Sequence, residues 1–184
     1  DVLILPEYFT ADKETLSLLS AFITNKGTVI ALGSAVSNFA DKEGFSIKNK
    51  EKKDSLATKM NTIPFSQWER EDLKKTISGS IFKSKVDPTH PLAFGYSDNY
   101  YSLKLGGTSY KLLEKGVNVA YFPENTKNYA GFAGSDALKN VPNSLLFGIE
   151  HKGKGKLIYM VDNPLFRAFW QNGKLFFANA VFLN

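Results

Sequence analysis

The feature that most constrains the fold is a pair of short apolar segments near the start of the chain, separated by one helical pattern. Residues 2–5 (VLIL) form an apolar run that ends at Pro6, and residues 28–32 (TVIAL) form a second run. Between them, apolar residues recur at helical spacing: Leu16, Leu19, Phe22 and Ile23. Gly27 then stands where a helix C-cap glycine is expected. Because so short a strand-helix-strand unit crosses over in the right-handed sense, we predict an α/β fold in which two buried parallel strands lie side by side.

The later sequence predicts further strands and a closing helix. Residues 80–86 and 117–122 have strand character, and residues 145–150 and 156–161 flank a short polar turn. This second pair predicts an antiparallel hairpin. Residues 175–183 form an apolar terminal helix that would pack back on the sheet. We therefore expect an open sheet that is mostly parallel and carries one antiparallel hairpin.

Other stretches give weaker signals. Ser66 to Glu69 fits a capping box that would start a helix reaching about Ile77. Residues 112–113 are assigned to a short helix, and residues 129–142 resemble a loop. Residues 40–62 mix lysines with acidic residues without clear periodicity, which predicts a lysine-rich surface insert. At 184 residues the whole chain, 1–184, fits one domain.

Composition excludes several classes of function. The chain has no cysteine, so it holds no disulfide, no cysteine-ligated metal and no thiol nucleophile. Its two histidines, His90 and His151, are far apart in sequence, and no metal site is predicted. The net charge is +5, but of the 23 basic residues only Arg70 and Arg167 are arginine. Nucleic-acid readers favour arginine, so no nucleic-acid partner is predicted. No apolar run approaches the roughly 20 residues of a membrane span.

A candidate site is expected where the predicted strands end. In open α/β sheets, ligands bind at the carboxyl ends of the strands. Those ends carry Glu7, Ser34, Asp162 and Asn163. These side chains offer carboxylate, hydroxyl and amide groups, which suit a polar ligand such as a peptide or a glycan.

Ser34 is the residue that could make this site catalytic. A serine in a sharp turn between a strand and a helix can act as a nucleophile, but such turns need small residues two places away on either side. Here those places hold Leu32 and Val36. Ser34 could serve instead as an N-cap. A base is also missing, because His151 falls in the hairpin turn and His90 in a proline-rich turn. We therefore predict no catalytic residue, with a degenerate serine hydrolase as the alternative.

Residues 162–170 (DNPLFRAFW) combine a carboxylate, an amide, an arginine and three aromatic residues at the end of a predicted strand. Asp162 and Arg167 could hold a polar ligand over an aromatic floor that includes Trp170. Alternatively, Arg167 pairs with Asp162 and the aromatic residues seal the terminal helix to the sheet. The chain has 15 Phe, 8 Tyr and 2 Trp, more than a core of this size commonly needs. Part of this excess could contact a neighbouring domain or a ligand.

Several of these segments together resemble one family. The residues that carry the resemblance are DVLILPE, FITNKGTVIALGSA, DPTHPLAFGY and GKGKLIYMVDNPLFRAFWQNGKLFFANAVFL. They are similar to the C-terminal region of large bacterial zinc carboxypeptidases of the carboxypeptidase A clan, a region with a three-layer, flavodoxin-like class I glutamine amidotransferase fold. The resemblance implies a periplasmic or secreted parent protein. It also implies that a zinc-binding peptidase domain, and the first strand and helix of the amidotransferase-like fold, precede Asp1.

The catalytic residues of an amidotransferase do not carry over. Its nucleophilic cysteine would align with the turn that holds Ser34, and its histidine with Asp162-Asn163. Its glycine-rich oxyanion loop would align with Pro6-Glu7. The resemblance therefore implies a non-catalytic accessory domain that packs on the peptidase domain or binds substrate, with zinc as cofactor of the parent alone. A carbohydrate- or peptide-binding module using Glu7, Asp162, Asn163 and the aromatic residues near Trp170 is the remaining alternative.

Overall fold

The structure, a computed structural model, describes residues 1–50 and 63–183. Its regular elements are, in chain order, β1 Val2–Leu5, α1 Lys13–Thr24, β2 Thr28–Leu32, α2 Trp68–Lys75, β3 Gly79–Val86, β4 Asn99–Lys104, β5 Val117–Phe122, β6 Asn128–Phe132, α3 Ser135–Asn140, β7 Ser144–Lys152, β8 Gly155–Met160 and α4 Lys174–Phe182. Five short 3-10 turns connect them: Gly33–Asn38, Phe65–Gln67, Pro91–Ala93, Phe166–Ala168 and Gln171–Gly173.

The strands form one mixed sheet in the order β1-β2-β8-β7-β5-β3-β4, with β6 beside β3. The β1–β2 and β2–β8 pairs are parallel, and the other described pairs are antiparallel. Strands β3 and β7 run opposite to the other six. The predicted β1-α1-β2 unit and the β7–β8 hairpin are confirmed. Six of the eight strands share a direction, but neighbours are parallel only over β1-β2-β8 within the described part.

Alternate residues of the central strands feed two separate cores. On β2, Val29 and Ala31 pack with the buried face of α1, whereas Ile30 and Leu32 pack with α4. On the same two sides, α1 contributes Leu19 and Ile23, and α4 contributes Phe176 and Ala180. Because both faces are covered, all five residues of β2 are buried, as a continuous apolar run predicts.

Strand β1 differs from its prediction as a buried strand. It is parallel to β2, but Val2, Leu3 and Ile4 are each 40–42% exposed. The reason is its position, because β1 is the edge of the described sheet and has a neighbour on one side only.

Gly27 is not the left-handed C-cap of helix α1 that the sequence predicts. Lys26 takes that conformation with φ 74°, while a Cβ atom at Gly27 would lie 2.4 Å from the Phe22 ring.

The weaker local patterns were predicted less well. Helix α2 begins at Trp68, and its N-cap residue Gln67 makes no side-chain capping bond, so the capping box is wrong. Residues 112–113 are not helical; the Leu113 N–H instead bonds to the side chain of Asn118. Residues 129–142, predicted as loop, contain most of β6 and all of α3.

The segment predicted as a lysine-rich surface insert is partly built into the fold. Ile47 is fully buried, and the Ser46 N–H donates to both oxygens of the buried Glu150 at 2.9 and 3.1 Å. The Lys50 ammonium bonds to the carbonyl oxygens of Asn140, at 3.0 Å, and Pro142. The first part of this segment therefore covers β7 and β8. Residues 51–62 lie outside the described residues.

Two findings bear on membrane and metal chemistry. Within residues 1–50 and 63–183, no helix has the length and apolar character needed to cross a bilayer. Over the same residues, no group of three or more metal-ligating side chains comes together.

Candidate ligand site at the strand ends

The candidate site is built on the carboxyl ends of three adjacent parallel strands. Strand β1 leads into Glu7, β2 leads into Gly33 and Ser34, and β8 leads into Asp162 and Asn163. Since β1, β2 and β8 are neighbours in the parallel part of the sheet, these ends meet at one edge. The sequence-based placement of the site therefore agrees with the order of the strands.

Glu7, Gly33 and Asn163 form the centre of the site. The Asn163 amide donates from Nδ2 to Glu7 Oε2 at 2.8 Å, while its own Oδ1 accepts the Leu165 N–H at 2.9 Å. Gly33 has φ +54°, and a Cβ atom there would lie 3.0 Å from Glu7 Oε1. The carboxylate thus lies directly against the backbone of the β2 turn, and a residue without a side chain is needed below it.

Ser34 has a structural partner. Its Oγ accepts the backbone N–H of Tyr8 at 2.8 Å, which ties the loop after β1 to the turn after β2. The N-cap of the following 3-10 turn is Leu32, so the predicted N-cap role of Ser34 is wrong. Tyr8 adopts a left-handed conformation with φ 70°, and its side chain is 82% exposed. The serine hydroxyl therefore fixes a strained residue whose ring points into solvent.

The two histidines lie at the other end of the sheet. His151 stands at the end of β7 beside the hairpin turn, opposite Lys156. His90 is close enough to His151 and Lys156 for both to lower its pKa, although burial is the larger cause and Asp87 acts in the opposite sense. Its Nδ1 accepts the Leu92 N–H at 3.0 Å. Neither histidine is therefore placed to take a proton from Ser34.

Asp162 faces the core rather than the site. It accepts from Ser102 Oγ at 2.7 Å and from Lys104 Nζ at 3.2 Å, and the side chains of Lys104 and Asp162 are only 3% and 8% exposed. These partners come from β4, four places from β8 in the strand order, so the sheet curls until β4 reaches the end of β8. The sequence-based alternative in which Arg167 pairs with Asp162 is therefore wrong.

Arg167 lies at the surface of the protein, whereas Trp170 is half-buried. Arg167 is exposed, and its guanidinium carbon lies 5.2 Å from the centre of the Phe166 ring. Arg167 and Ala168 are both left-handed, with φ 48° and 58°. Trp170 is half-buried and donates from Nε1 to the Tyr100 hydroxyl at 3.2 Å. Trp170 thus contacts the core residue Tyr100, whereas Phe169 of the same segment is 58% exposed, so the aromatic residues do not all cover the sheet as the structural interpretation predicts.

At this site the described residues bring Glu7, Ser34 and Asn163 together, and neither histidine lies beside Ser34. The Ser34 hydroxyl accepts the Tyr8 N–H, and the Glu7 carboxylate accepts a hydrogen bond from the Asn163 amide. Both contacts hold the loops of the site in place. Sequence reasoning missed Tyr8, Ser102 and Lys104. The position of Tyr8, directly after Pro6-Glu7 at the end of a predicted strand, was a usable signal in the sequence. Ser102 and Lys104 of β4 reach Asp162 only because the sheet curls.

Comparison with known proteins identifies a fold class. No protein-family model and no curated protein sequence matches this chain significantly. Among solved structures, a ThuA-like protein from Bacteroides uniformis is 10% identical, with a TM-score of 0.51, over 98% of this chain and 67% of its own. A cytoplasmic protein from Salmonella typhimurium is 12% identical, with a TM-score of 0.51, over 98% and 70%. The β-galactosidase from Rahnella sp. R3 is 16% identical, with a TM-score of 0.52, over 97% and 22%.

These likenesses support a class I glutamine amidotransferase-like fold for this chain through its ThuA-like neighbours. At such low identity they show the fold alone. The chain spans about a fifth of the β-galactosidase chains that it matches.

The resemblance to zinc carboxypeptidases is wrong. The comparison of structures finds ThuA-like proteins and β-galactosidases and no carboxypeptidase. The amidotransferase-like part of the resemblance holds, because it describes the fold that the neighbours share. The upstream peptidase domain, its zinc and the periplasmic or secreted location depended on the carboxypeptidase part and have no support.

Proposed function

We propose that this chain is a non-catalytic accessory domain with a three-layer, flavodoxin-like sheet, and that its strand-end site binds a peptide or a glycan. One observation carries the proposal: the Ser34 hydroxyl is engaged by the Tyr8 N–H, while His90 and His151 lie at the opposite end of the sheet. A serine nucleophile needs an adjacent proton acceptor. Among the described residues no histidine stands beside Ser34, and this supports a site that keeps the position of an active site without the pair of groups that nucleophilic catalysis needs.

The groups left for a ligand are polar and aromatic. Asn163 engages one oxygen of Glu7, and Tyr8, the next residue in the chain, is 82% exposed. A carboxylate accepts hydrogen bonds from hydroxyl or amide groups, and an exposed tyrosine ring offers an apolar face with a polar tip. Sugars and peptides present both kinds of partner. The β-galactosidase neighbours, by their name, act on a sugar, which is consistent with a glycan.

A first experiment tests the absence of catalysis. Purified chain is incubated with glutamine, with p-nitrophenyl acetate and with a peptide library, and ammonia, nitrophenol and new amino termini are measured. We expect no turnover above buffer. Turnover that disappears in Ser34→Ala would support the alternative, a degenerate serine hydrolase, and would overturn the proposal.

A second experiment tests binding. Isotope-labelled chain is titrated with β-1,4-galactotriose and with a mixture of tetrapeptides while backbone NMR signals are followed. We expect shifts at Tyr8, Ser34 and Asn163 that are lost in Glu7→Gln, a change that keeps the size of the side chain but removes its charge. Glu124→Gln, an exposed change outside the site, should keep the shifts. No shift with either probe at millimolar concentration would contradict the binding role.

A further inference from the structure

A second surface, separate from the strand ends, lies on the solvent side of the antiparallel part of the sheet. Lys83 stands directly opposite Tyr101 in the β3–β4 register, and Lys85 stands opposite Tyr121 in the β3–β5 register. Directly paired residues point to the same side of a sheet. Tyr129 of β6 joins them, because its ring centre lies 5.2 Å from that of Tyr101. We call these five residues the tyrosine–lysine face.

The alternation of burial shows that this face is open. Ser84 lies between the two lysines and Tyr100 lies next to Tyr101; both are buried, 1% and 2% exposed, on the opposite side. By contrast, Lys83 and Lys85 are exposed, and Tyr129 is 70% exposed. The core on the other side accounts for the buried residues of β3 and β4 but not for a large aromatic side chain in solvent.

The arrangement of the tyrosines is that of a contact surface. The rings of Tyr101 and Tyr129 meet edge to face at 70°, and the two side chains are also joined by a hydrogen bond, while most of the Tyr129 ring remains exposed. Tyrosine is stiff, with two side-chain torsions, and combines a flat apolar ring with a hydrogen-bonding tip. Such rings bind ligands that have an apolar face and polar edges.

The charge of the face is positive and sparse. Lys85 pairs with Asp98 at 3.7 Å, whereas no carboxylate within residues 1–50 and 63–183 forms an ion pair with Lys83. The two arginines of the chain, Arg70 in α2 and Arg167 after β8, are elsewhere. A single-stranded nucleic acid carries a charge on every nucleotide and is held by many cations along its path. A single lysine of this kind, without a row of further cations, fits instead a ligand that is held mainly by contacts with the tyrosine rings and by one carboxylate at Lys83.

We propose that the tyrosine–lysine face binds an acidic polysaccharide, in which the C–H faces of sugar rings lie on Tyr101 and Tyr129. The Lys83 ammonium pairs with a uronate carboxylate, and the Tyr121 side chain extends the contact toward the next sugar. Lysine suits this task because it is a compact point charge on a flexible stem and needs no planar, bidentate partner. This surface is independent of Glu7 and of the strand-end site.

The test uses hexagalacturonate as the acidic probe and cellohexaose as the neutral one, with binding measured by calorimetry on the whole chain. We expect Tyr129→Ala and Tyr101→Ala each to weaken hexagalacturonate binding by about tenfold, because each removes a stacking ring. Lys83→Gln should weaken hexagalacturonate binding by about threefold and leave any binding of cellohexaose unchanged.

Matched controls are available on other surfaces. Phe182→Ala removes an exposed aromatic ring from α4, and Lys13→Gln removes an exposed lysine from α1; both should bind hexagalacturonate as the unchanged chain does. Glu7→Gln should also keep this binding, which separates the result from that of the strand-end site. Circular dichroism checks that each variant is folded. The proposal is overturned if hexagalacturonate does not bind, if the controls lose as much affinity, or if oligothymidylate displaces hexagalacturonate at equal concentration.

Discussion

Glu7 depends, at the residue scale, on a neighbour that has no side chain. Its carboxylate lies 3.0–3.2 Å from the place where a Cβ atom of Gly33 would be, and the backbone of Gly33 is left-handed. Ser34 and Tyr8 then fix the loop on the other side of Glu7. A single glycine thereby sets both the course of the β2 turn and the position of the acidic group of the site.

Gly33→Ala is therefore expected to destabilise the fold by about 1–2 kcal/mol, because an L-residue is strained in the left-handed region, and to displace Glu7 as well. Urea unfolding measures the first effect, and the NMR signal of the Asn163 side-chain amide reports the second. Gly106→Ala is the matched control, since a Cβ atom there has no neighbour within 4 Å. Equal stability of the two variants would contradict this role of Gly33.

His90 gives the chain a pH-dependent contact. Burial lowers its pKa below 6.5, and its Nδ1 accepts the Leu92 N–H only while that nitrogen is unprotonated. Because the unfolded chain binds the proton more readily, the stabilisation is fully present above pH 6.5 and is lost as the pH falls below it. His90→Asn keeps an acceptor at this turn but does not titrate.

We expect the melting temperature of the unchanged chain to fall between pH 7.5 and pH 5.5, and the fall to be smaller in His90→Asn. Differential scanning calorimetry at four pH values in this range provides the comparison. The range stays above the pH at which ordinary carboxylates take up protons. If both chains lose the same number of degrees, the contact does not carry the pH dependence.

At the scale of elements, the Lys104–Asp162 pair holds β4 against the end of β8. Both side chains are almost fully buried, and Lys104 also donates to the Thr108 carbonyl at 2.9 Å. Removing one partner of a buried ion pair leaves the other charge without compensation. We therefore expect Lys104→Met to destabilise the fold by about 3–5 kcal/mol, measured by urea unfolding.

A double variant distinguishes the loss of the ion pair from a general destabilisation of the fold. Lys104→Met combined with Asp162→Leu should be less destabilised than the sum of the two single changes, since no lone charge remains buried. The exposed pair of Lys139 and Asp136 serves as the control, and Lys139→Met should cost less than about 1 kcal/mol. Simple additivity at Lys104 and Asp162 would show that the two residues act independently.

The elements that the sequence predicted well are those with a strong local pattern. The apolar runs of β1 and β2, the helical spacing of α1 and the turn of the β7–β8 hairpin each depend on neighbours within a few residues. Strand β6 is exposed at all five positions, so it lacks the alternation that marks a strand, and it was missed. Strand β4 was missed although its burial alternates, because two of its three buried residues are the polar Ser102 and Lys104, so the sequence shows no apolar alternation.

The same limit applies to the candidate site. Glu7 and Asn163 were predicted because strand ends collect functional groups, and the parallel order of β1, β2 and β8 brings them together. The partner of Asp162 was predicted wrongly as Arg167, five residues away. Its observed partner, Lys104, is 58 residues away in sequence and is brought close by the curl of the whole sheet, which no local pattern encodes.

At the scale of the whole molecule, one sheet separates two cores that share no residue. Ile23 of α1 is fully buried in the first core, and Phe176 of α4 is fully buried in the second, where it contacts Tyr96, Tyr100 and Phe147. The strands between them supply alternate side chains to both cores. The sheet therefore links the stability of the two cores, although among the described residues the two clusters have no member in common.

This arrangement predicts a single unfolding transition, in which the losses of unfolding free energy caused by small changes in the two cores are additive. Ile23→Val should cost about 0.5–1.5 kcal/mol, and Phe176→Leu about 1–2 kcal/mol. Because changes at distant sites with no shared contacts are usually independent, the double variant should equal their sum within about 0.5 kcal/mol. Phe182→Ala, on the exposed side of α4, should be nearly neutral. Two separate transitions in Phe176→Leu, followed by fluorescence and circular dichroism, would instead show that each core unfolds with its own helix and that the sheet does not join them.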